Sequence, residues 1–396
     1  MKVGILSINI HTKVLNFASV LHSYAFQSFL DEHGIDSTII EYKPCYYGPS
    51  DVRHPYDYWK AHPKKNEIQQ QELLDKWERL YHEREERFDK FEAFIKKYYK
   101  KTDLCYTQEL LDKKDPGCDI YMCVTDVIWK YNPKSGFDRG YFLACDMLRG
   151  KPKIAYAASK GPTIYTAEQA AIFRKLVQDF DYISCREQSL TSFINKNTCK
   201  KAITVLDPVF LKDADFYIDL SQEPKEKDYV LIYTVMENAG KLVDDAIRFA
   251  KERNLAVIDI SDDKTILYQS PYGERTTKYG IGIEEWLGYM NHAAYIFTNS
   301  FHCCCMSVIL KKQFFVGARS GDKIDSILQL LDLSDRRIIS SSADAKKDID
   351  YVAVDAKLKK LRCASEKWVL NAIKKSSTPK HTLLHVFRRK RLEKKK

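Results

Sequence analysis

Ser300, Phe301 and His302 sit in the stretch 293–312, AAYIFTNSFHCCCMSVILKK. Its apolar run ends in a polar turn at Thr298, Asn299 and Ser300, and apolar spacing resumes at Met306, Val308, Ile309 and Leu310. That order predicts buried strand, tight turn, helix. At such a turn in an open α/β sheet, the first N–H groups of the helix can hold an anion, and an imidazole there titrates near neutral pH. Arg186 follows an apolar strand pattern at 182–185 and precedes a helix. Its planar fork therefore suits a carboxylate or phosphate, although a salt bridge to the adjacent Glu187 accounts for it equally well. Arg319 has the same placement after 314–317, where it adds positive charge to a rim. Asp126, after the strand pattern 119–124, suits either a turn cap or a general base. Asn16, ahead of a helical pattern, reads first as an N-cap. One cationic fork and one titratable imidazole facing each other suit an anionic small molecule.

The cysteines do not extend this chemistry. Eleven are present, scattered and often inside apolar runs such as those around Cys123, Cys145 and Cys185, as in a reduced cytosolic protein. Cys303, Cys304 and Cys305 are adjacent, so they cannot all face one ion, and no second pair completes a zinc set. None has the flanking groups that activate a thiol nucleophile.

The elements that must position these residues follow an α/β rhythm. Strand 2–8, helical spacing from Ala18 to Leu30, a stop at Gly34 and strand 37–42 make a βαβ opening without the G-x-G-x-x-G spacing of a dinucleotide site. Between about 51 and 101 the chain becomes charged and aromatic with helical spacing, which predicts a helical insertion lying along or lidding the first domain with a wet outer face. Strands are predicted again at 119–124, 153–158, 182–185 and 202–206. A charged link at 222–227 then separates a second series with strands near 229–235, 256–261, 294–297 and 314–317. The expected organisation is an N-terminal domain over 1–221, a C-terminal domain over 228–372 and a basic tail over 373–396, with two α/β sheets facing each other across a cleft. At 396 residues, both domains have room for a core. The tail holds ten Lys or Arg against Glu393, so nine of the ten net positive charges lie outside a nearly neutral body. A neutral body argues against a nucleic-acid face. No run of apolar residues is long enough to span a bilayer, and the N-terminus enters a strand pattern without a signal-peptide cleavage site. A cytoplasmic protein is expected.

Taken together, several blocks resemble the polysaccharide pyruvyl transferase family. They are Lys2 to Leu6 with Asn16 to Ala25, Thr125 to Trp129, Arg186 to Ser189, Leu206-Asp207-Pro208, and Thr298 to His302, in the family's order. The resemblance implies two facing Rossmann-like domains of the glycosyltransferase-B kind. It also implies transfer of a pyruvyl group from phosphoenolpyruvate to a sugar of a cell-surface polysaccharide or lipid-linked precursor as a ketal, in exopolysaccharide biosynthesis. It places Arg186, Ser300, Phe301 and His302 at the donor. The chain departs from the family pattern at Val124 and Thr125, where the family has Gly-Ser, at Asn299, where it has an acid, and at Cys303, where it has a small residue.

The residues fit that chemistry. Arg186, the helix start after His302, and Arg319 would hold the donor's carboxylate and phosphate. His302 would act as acid or base and Asp126 would accept a hydroxyl proton, with no metal or organic cofactor required. The tail interleaves Leu383, Leu384, Val386 and Phe387 with basic residues. It suits either peripheral contact with an anionic leaflet at the inner face of the membrane or a solvated tail. Two other readings share the frame: a nucleotide-sugar glycosyltransferase, and a non-catalytic partner in glycan assembly.

Overall fold

The structure, a computed structural model, describes residues 1–9, 11, 15–44, 51–237, 239–338, 343 and 347–377. The first half alternates strand and helix. It comprises β1 (Lys2–Leu6), α1 (Phe17–Glu32), β2 (Asp36–Ile39), α2 (Pro55–Ala61), α3 (Glu67–Arg79), α4 (Tyr81–Tyr98), α5 (Gln108–Leu111), β3 (Ile120–Val124), β4 (Lys153–Ala158), α6 (Ala167–Val177), β5 (Tyr182–Cys185), α7 (Gln188–Asn197) and β6 (Ala202–Thr204). Its six strands form one sheet in the order β2-β1-β3-β4-β5-β6, all neighbours parallel. Helices cover both faces, which is why β3 and β4 are buried along their whole length and read as apolar runs, β4 after its first residue, Lys153.

The second half holds α8 (Ala214–Leu220), β7 (Tyr229–Tyr233), α9 (Gly240–Glu252), β8 (Ala256–Asp259), β9 (Thr276–Thr277), α10 (Ile283–His292), β10 (Tyr295–Thr298), α11 (Phe301–Ile309), β11 (Gln313–Val316) and α12 (Lys323–Leu330). A five-stranded sheet runs in the order β11-β10-β7-β8-β9, again parallel. The molecule is therefore an α/β protein of two Rossmann-like domains, as expected. The 222–227 link starts against α10, where the Gln222 N–H donates to the Glu284 carbonyl at 2.9 Å. A Cβ at Gly288 would lie 1.7 Å from the Gln222 carbonyl oxygen, so only glycine fits at that point of the helix.

Two elements sit differently from the sequence reading. The insertion keeps a wet outer face, with no residue buried on α2 and only Trp77 on α3, but it does not lie on the first domain alone. Helix α4 is wedged between the halves: Phe91, Phe94 and Ile95 join α1 residues Phe17, Val20 and Leu21 and second-half residues Tyr233, Trp286 and Leu287 in one core. The rings of Phe17 and Trp286 stack at 5.4 Å. Each buried phenylalanine there contributes roughly 1.5–3 kcal/mol of apolar transfer. Polar bonds follow the same line, with Arg84 Nη1 donating to the Tyr279 hydroxyl at 2.7 Å and Lys90 meeting Glu285 at 2.8 Å. The charged composition that suggested a solvated surface marks a helix whose cations reach the other domain.

The last helix, α13 (Tyr351–Ser376), returns to the first sheet and runs four residues into the stretch read as tail. Val369, Ala372 and Ile373 pack with Val3, Ile5 and Ile154. Nearer its start, the Ser365 hydroxyl accepts from the Leu206 N–H at 3.0 Å, and Arg362 Nη2 donates to the Lys212 carbonyl at 3.2 Å. The turn between those two points holds Asp207. The remainder of the basic tail, 378–396, lies outside the described residues. Among the described residues, no helix is long and apolar enough to cross a membrane.

Candidate active site

The carboxyl ends of both sheets converge on one side chain, the fully buried Asp207. It follows β6 and caps the next turn, with Oδ1 accepting from the Val209 N–H at 3.2 Å. Oδ2 takes three partners: the Thr125 hydroxyl donates at 2.6 Å, Arg186 Nη1 donates at 3.0 Å, and His302 Nε2 stands 3.4 Å away. Burial alone would push this carboxyl up. His302 and Arg186 outweigh it and hold the group well below the usual carboxylate range. A permanent negative charge thus links an arginine of the first domain to an imidazole of the second.

Arg186 leaves β5 where the sequence places it, and the salt bridge to Glu187 is present. Nε donates to Glu187 Oε1 at 3.2 Å, Nη1 serves Asp207, and the guanidinium lies 4.2 Å from the centre of the Phe301 ring. Burial works against its charge, yet Glu187 and Asp207 raise its pKa. Nη2 is buried without a hydrogen-bond partner. The predicted strand-turn-helix at 295–309 is present. The Ser300 hydroxyl accepts from the Cys303 N–H at 3.4 Å as N-cap, Phe301 underlies Arg186, and His302 reaches Asp207. Asn299 braces the loop after β7, its Oδ1 accepting from the Val235 N–H at 2.8 Å, while its Nδ2 is buried and unpartnered. Asn16 caps α1 through the Ala18 N–H at 3.0 Å. Cys303, Cys304 and Cys305 are all buried, and burial pushes the Cys303 thiol up to about 12, which rules out a thiolate nucleophile there at neutral pH.

Asp126 and Thr125 adopt φ values of 58° and 44°. A β-branched residue in the left-handed region costs on the order of 1–2 kcal/mol. Thr125 is held there by its bond to Asp207, and Asp126 by its Oδ1, which accepts from the Val127 N–H at 2.9 Å. Burial raises the Asp126 pKa, but His302, Arg186, His22 and Lys323 lower it overall. Arg319 lies at the rim, donating from Nη1 to the Val235 carbonyl, with Nε 3.6 Å from Glu237. The groups meet in contact rather than across an open cleft: the side chains of Asp207, Arg186 and His302 are 0, 3 and 6 % exposed, while Asp126 and Arg319 form the edge at 13 and 11 %.

The sequence reading did not single out Asp207, His22 or Lys323 as site residues. Asp207 showed only as the acid of Leu206-Asp207-Pro208, closing an apolar strand. His22 was lost in the apolar repeat of α1, of which it occupies a fully buried position. Its ring lies 5.5 Å from that of His302, and its Nε2 stands 4.0 Å from Asp126 Oδ2. Hydrogen-bond accounting favours one tautomer. Nδ1 lies 3.3 Å from the hydroxyls of Ser7 and Ser23, and those hydroxyls donate to the carbonyls of Val124 and Ser19. Each hydroxyl has one proton; with both given to those carbonyls, Nδ1 is the ring nitrogen left to donate, and Nε2 is buried without a partner. Burial, with His302 second, lowers the pKa of His22 to about 4, so it is neutral at pH 7.

A separate cluster, His11, Glu41 and Cys105, brings three possible metal donors within 4.8 Å of one another. His11 Nε2 lies 3.0 Å from Glu41 Oε1 and 3.6 Å from Cys105 Sγ, and Lys101 pairs with the other Glu41 oxygen. Burial lowers the His11 pKa, but Cys105 and Glu41 raise it further, to about 9. The charged imidazole already satisfies the carboxylate, and a cation would have to displace its proton.

A family model described as polysaccharide pyruvyl transferase matches residues 19–320. No curated protein matches the chain. Among solved structures, the chain is similar to the glycosyltransferase of kitacinnamycin, at 11 % identity over 95 % of this chain and 98 % of that one, TM-score 0.48. It is also similar to the UDP-GlcNAc 2-epimerase of Neisseria meningitidis bound to UDP-GlcNAc, at 10 % identity over 95 % and 100 % of the two chains, TM-score 0.46.

Proposed function

We propose, from the premise that this chain belongs to the polysaccharide pyruvyl transferase family, that it moves the pyruvyl unit of phosphoenolpyruvate onto two hydroxyls of one sugar. The acceptor is a residue of a cell-surface polysaccharide or its lipid-linked precursor, and the product is a ketal. One observation supports this above the others: an arginine of one domain and a histidine of the other share a single buried carboxylate, Asp207.

The reaction needs a held dianion, a proton for the methylene carbon of the enol, and acceptors for two hydroxyl protons. Arg186 and the Ser300-Phe301-His302 turn hold the donor, with Arg319 at the rim. His302, whose Nε2 stands 3.4 Å from the Asp207 carboxylate, gives the proton to the methylene carbon as the first sugar oxygen bonds to the central carbon. The second sugar oxygen then bonds to the same carbon as the C–O bond to phosphate breaks, and inorganic phosphate leaves with the electron pair. Asp126 and the bare Nε2 of His22 are two proton acceptors 4.0 Å apart, matched to two hydroxyls of one ring. The basic tail would bring the enzyme to an anionic leaflet where lipid-linked sugars are assembled.

Incubation with phosphoenolpyruvate and candidate glycans tests the reading. Phosphate release with a pyruvylated product is expected, and both are lost in Arg186→Ala and His302→Ala with the fold retained. Nucleotide release from a nucleotide sugar would replace this function with glycosyl transfer. No turnover of any donor, with binding to assembly enzymes, would leave a non-catalytic partner.

A further inference from the structure

Lys323 begins α12 and stands on the second domain's side of the site. Among the described residues its amine has no hydrogen-bond partner and no carboxylate within salt-bridge distance. What lies near it is Phe301, whose ring centre is 6.0 Å from Nζ, and the same ring carries the Arg186 guanidinium at 4.2 Å. Arg186 for its part keeps Nη2 buried and unpartnered, although its other nitrogens serve Glu187 and Asp207. Two cations with free N–H bonds, drawn to one aromatic ring, repel each other unless an anion joins them. A buried donor left unpaired is costly; Nη2 is one, and an anion that pairs with it also meets the partly exposed ammonium of Lys323.

We propose that Lys323 and the free Nη2 of Arg186 form one anion-holding site beside Phe301, which takes the phosphate of the donor. This rests on the phosphoenolpyruvate reading for the name of the donor, but not for the class of ligand, a phosphate-type dianion. The ammonium supplies a mobile point charge and the guanidinium a fixed edge. Asp207 and Glu187 keep Arg186 oriented, so the carboxylates around the site position one cation and leave the other to the ligand. The electrostatics agree. Burial, then Arg186, bring the Lys323 pKa down to about 8, with Arg319 acting the same way and Asp126 and Glu187 opposing. An arriving dianion would keep the amine charged, and affinity should fall as the pH rises through 8.

The test is calorimetric titration of the full chain with inorganic phosphate, phosphoenolpyruvate and pyruvate, on wild type, Lys323→Met and Lys323→Arg. Loss of one charge-assisted contact predicts that Lys323→Met weakens phosphate and phosphoenolpyruvate about 10- to 100-fold. Pyruvate, which lacks the phosphate, should change little, and the thermal midpoint should hold. Lys323→Arg should keep phosphate affinity within about threefold and remove its decline above pH 8. Equal phosphate affinity in wild type and Lys323→Met, or no phosphate binding by wild type, would overturn the site. Weakening of pyruvate and phosphate alike would overturn its assignment to the phosphate end. If wild type binds phosphate through Lys323 yet never consumes phosphoenolpyruvate, the donor reading falls and the anion site stands.

Discussion

Two of the buried arginines that join the halves of this molecule have surroundings opposite in kind. Arg87, on α4, lies between the rings of Phe17 and Tyr279 at 4.2 and 4.8 Å and donates to the carbonyls of Leu15 at 3.0 Å and Tyr279 at 3.3 Å. No carboxylate pairs with it among the described residues, and burial lowers its pKa. Arg186 faces the same burial, but Glu187 and Asp207 reverse the shift. At the first seam the charge is bedded in neutral groups that only hold it. At the second it is balanced by acids that also touch an imidazole and a strained threonine. A cation that merely fastens two domains needs dipoles and rings; one that meets a substrate anion must be oriented by carboxylates.

Asp207→Asn should break this difference most severely. It leaves Arg186 with one acid, His302 with none, and Thr125 in a left-handed conformation that nothing compensates. Removing one member of a buried charge cluster costs about 3–5 kcal/mol, and the loss of an oriented acid-base group about 10²–10⁴-fold in turnover. Denaturant unfolding and donor turnover on the same preparation check both, and a variant that keeps full activity would remove Asp207 from the site. Arg87→Met should sharpen the contrast from the other side. Two carbonyls lose their donors, so stability should drop by about 2–4 kcal/mol, while the folded enzyme keeps kcat within about threefold. A collapse of kcat without loss of stability would show that α4 takes part in the chemistry.

How far each seam could be read from the sequence follows the same division. The sheets were legible because parallel strands buried on both faces are written as apolar runs; the predicted strands 153–158 and 182–185 coincide with β4 and β5. Arg186 and the Ser300-Phe301-His302 turn were legible because polar residues directly after such runs have one place to go, the carboxyl edge of the sheet. Asp207 was harder, since its meaning lies in partners 21 and 82 residues away. His22 was illegible: a polar residue inside an apolar helix face gives no sign of what faces it from β1, β3 and the other domain. The same blindness turned α4 into a wet surface helix, because the pattern 81–98 shows many charges and not that Arg84 and Arg87 are the ones buried.

His22 also gives the smallest and most specific prediction, a change confined to one pH range. Its pKa falls from 6.5 in the unfolded chain to about 4 in the folded one. Between those values the unfolded chain binds a proton that the folded chain refuses, so stability present above about pH 6.5 is lost as pH falls towards 4. By linkage the loss at pH 5 is about 2 kcal/mol. Asp262 works in the opposite sense, since burial, then Asp263, raise it from 3.8 to about 6, so its neutral form stabilises the fold as acid is added. His11, shifted up to about 9, contributes fully below 6.5 and loses its contribution only as pH rises through 9. The wild-type curve alone therefore mixes signs, and the informative quantity is its difference from His22→Gln, which cannot take up a proton. Urea unfolding of both proteins from pH 7.5 to 5 should give curves that converge on the acid side by about 2 kcal/mol. Parallel curves would mean that His22 takes up its proton as readily folded as unfolded, and a wild type that gains stability over His22→Gln on the acid side would mean that His22 is held charged, with Nε2 a donor to Asp126 rather than the acceptor assigned to a sugar hydroxyl.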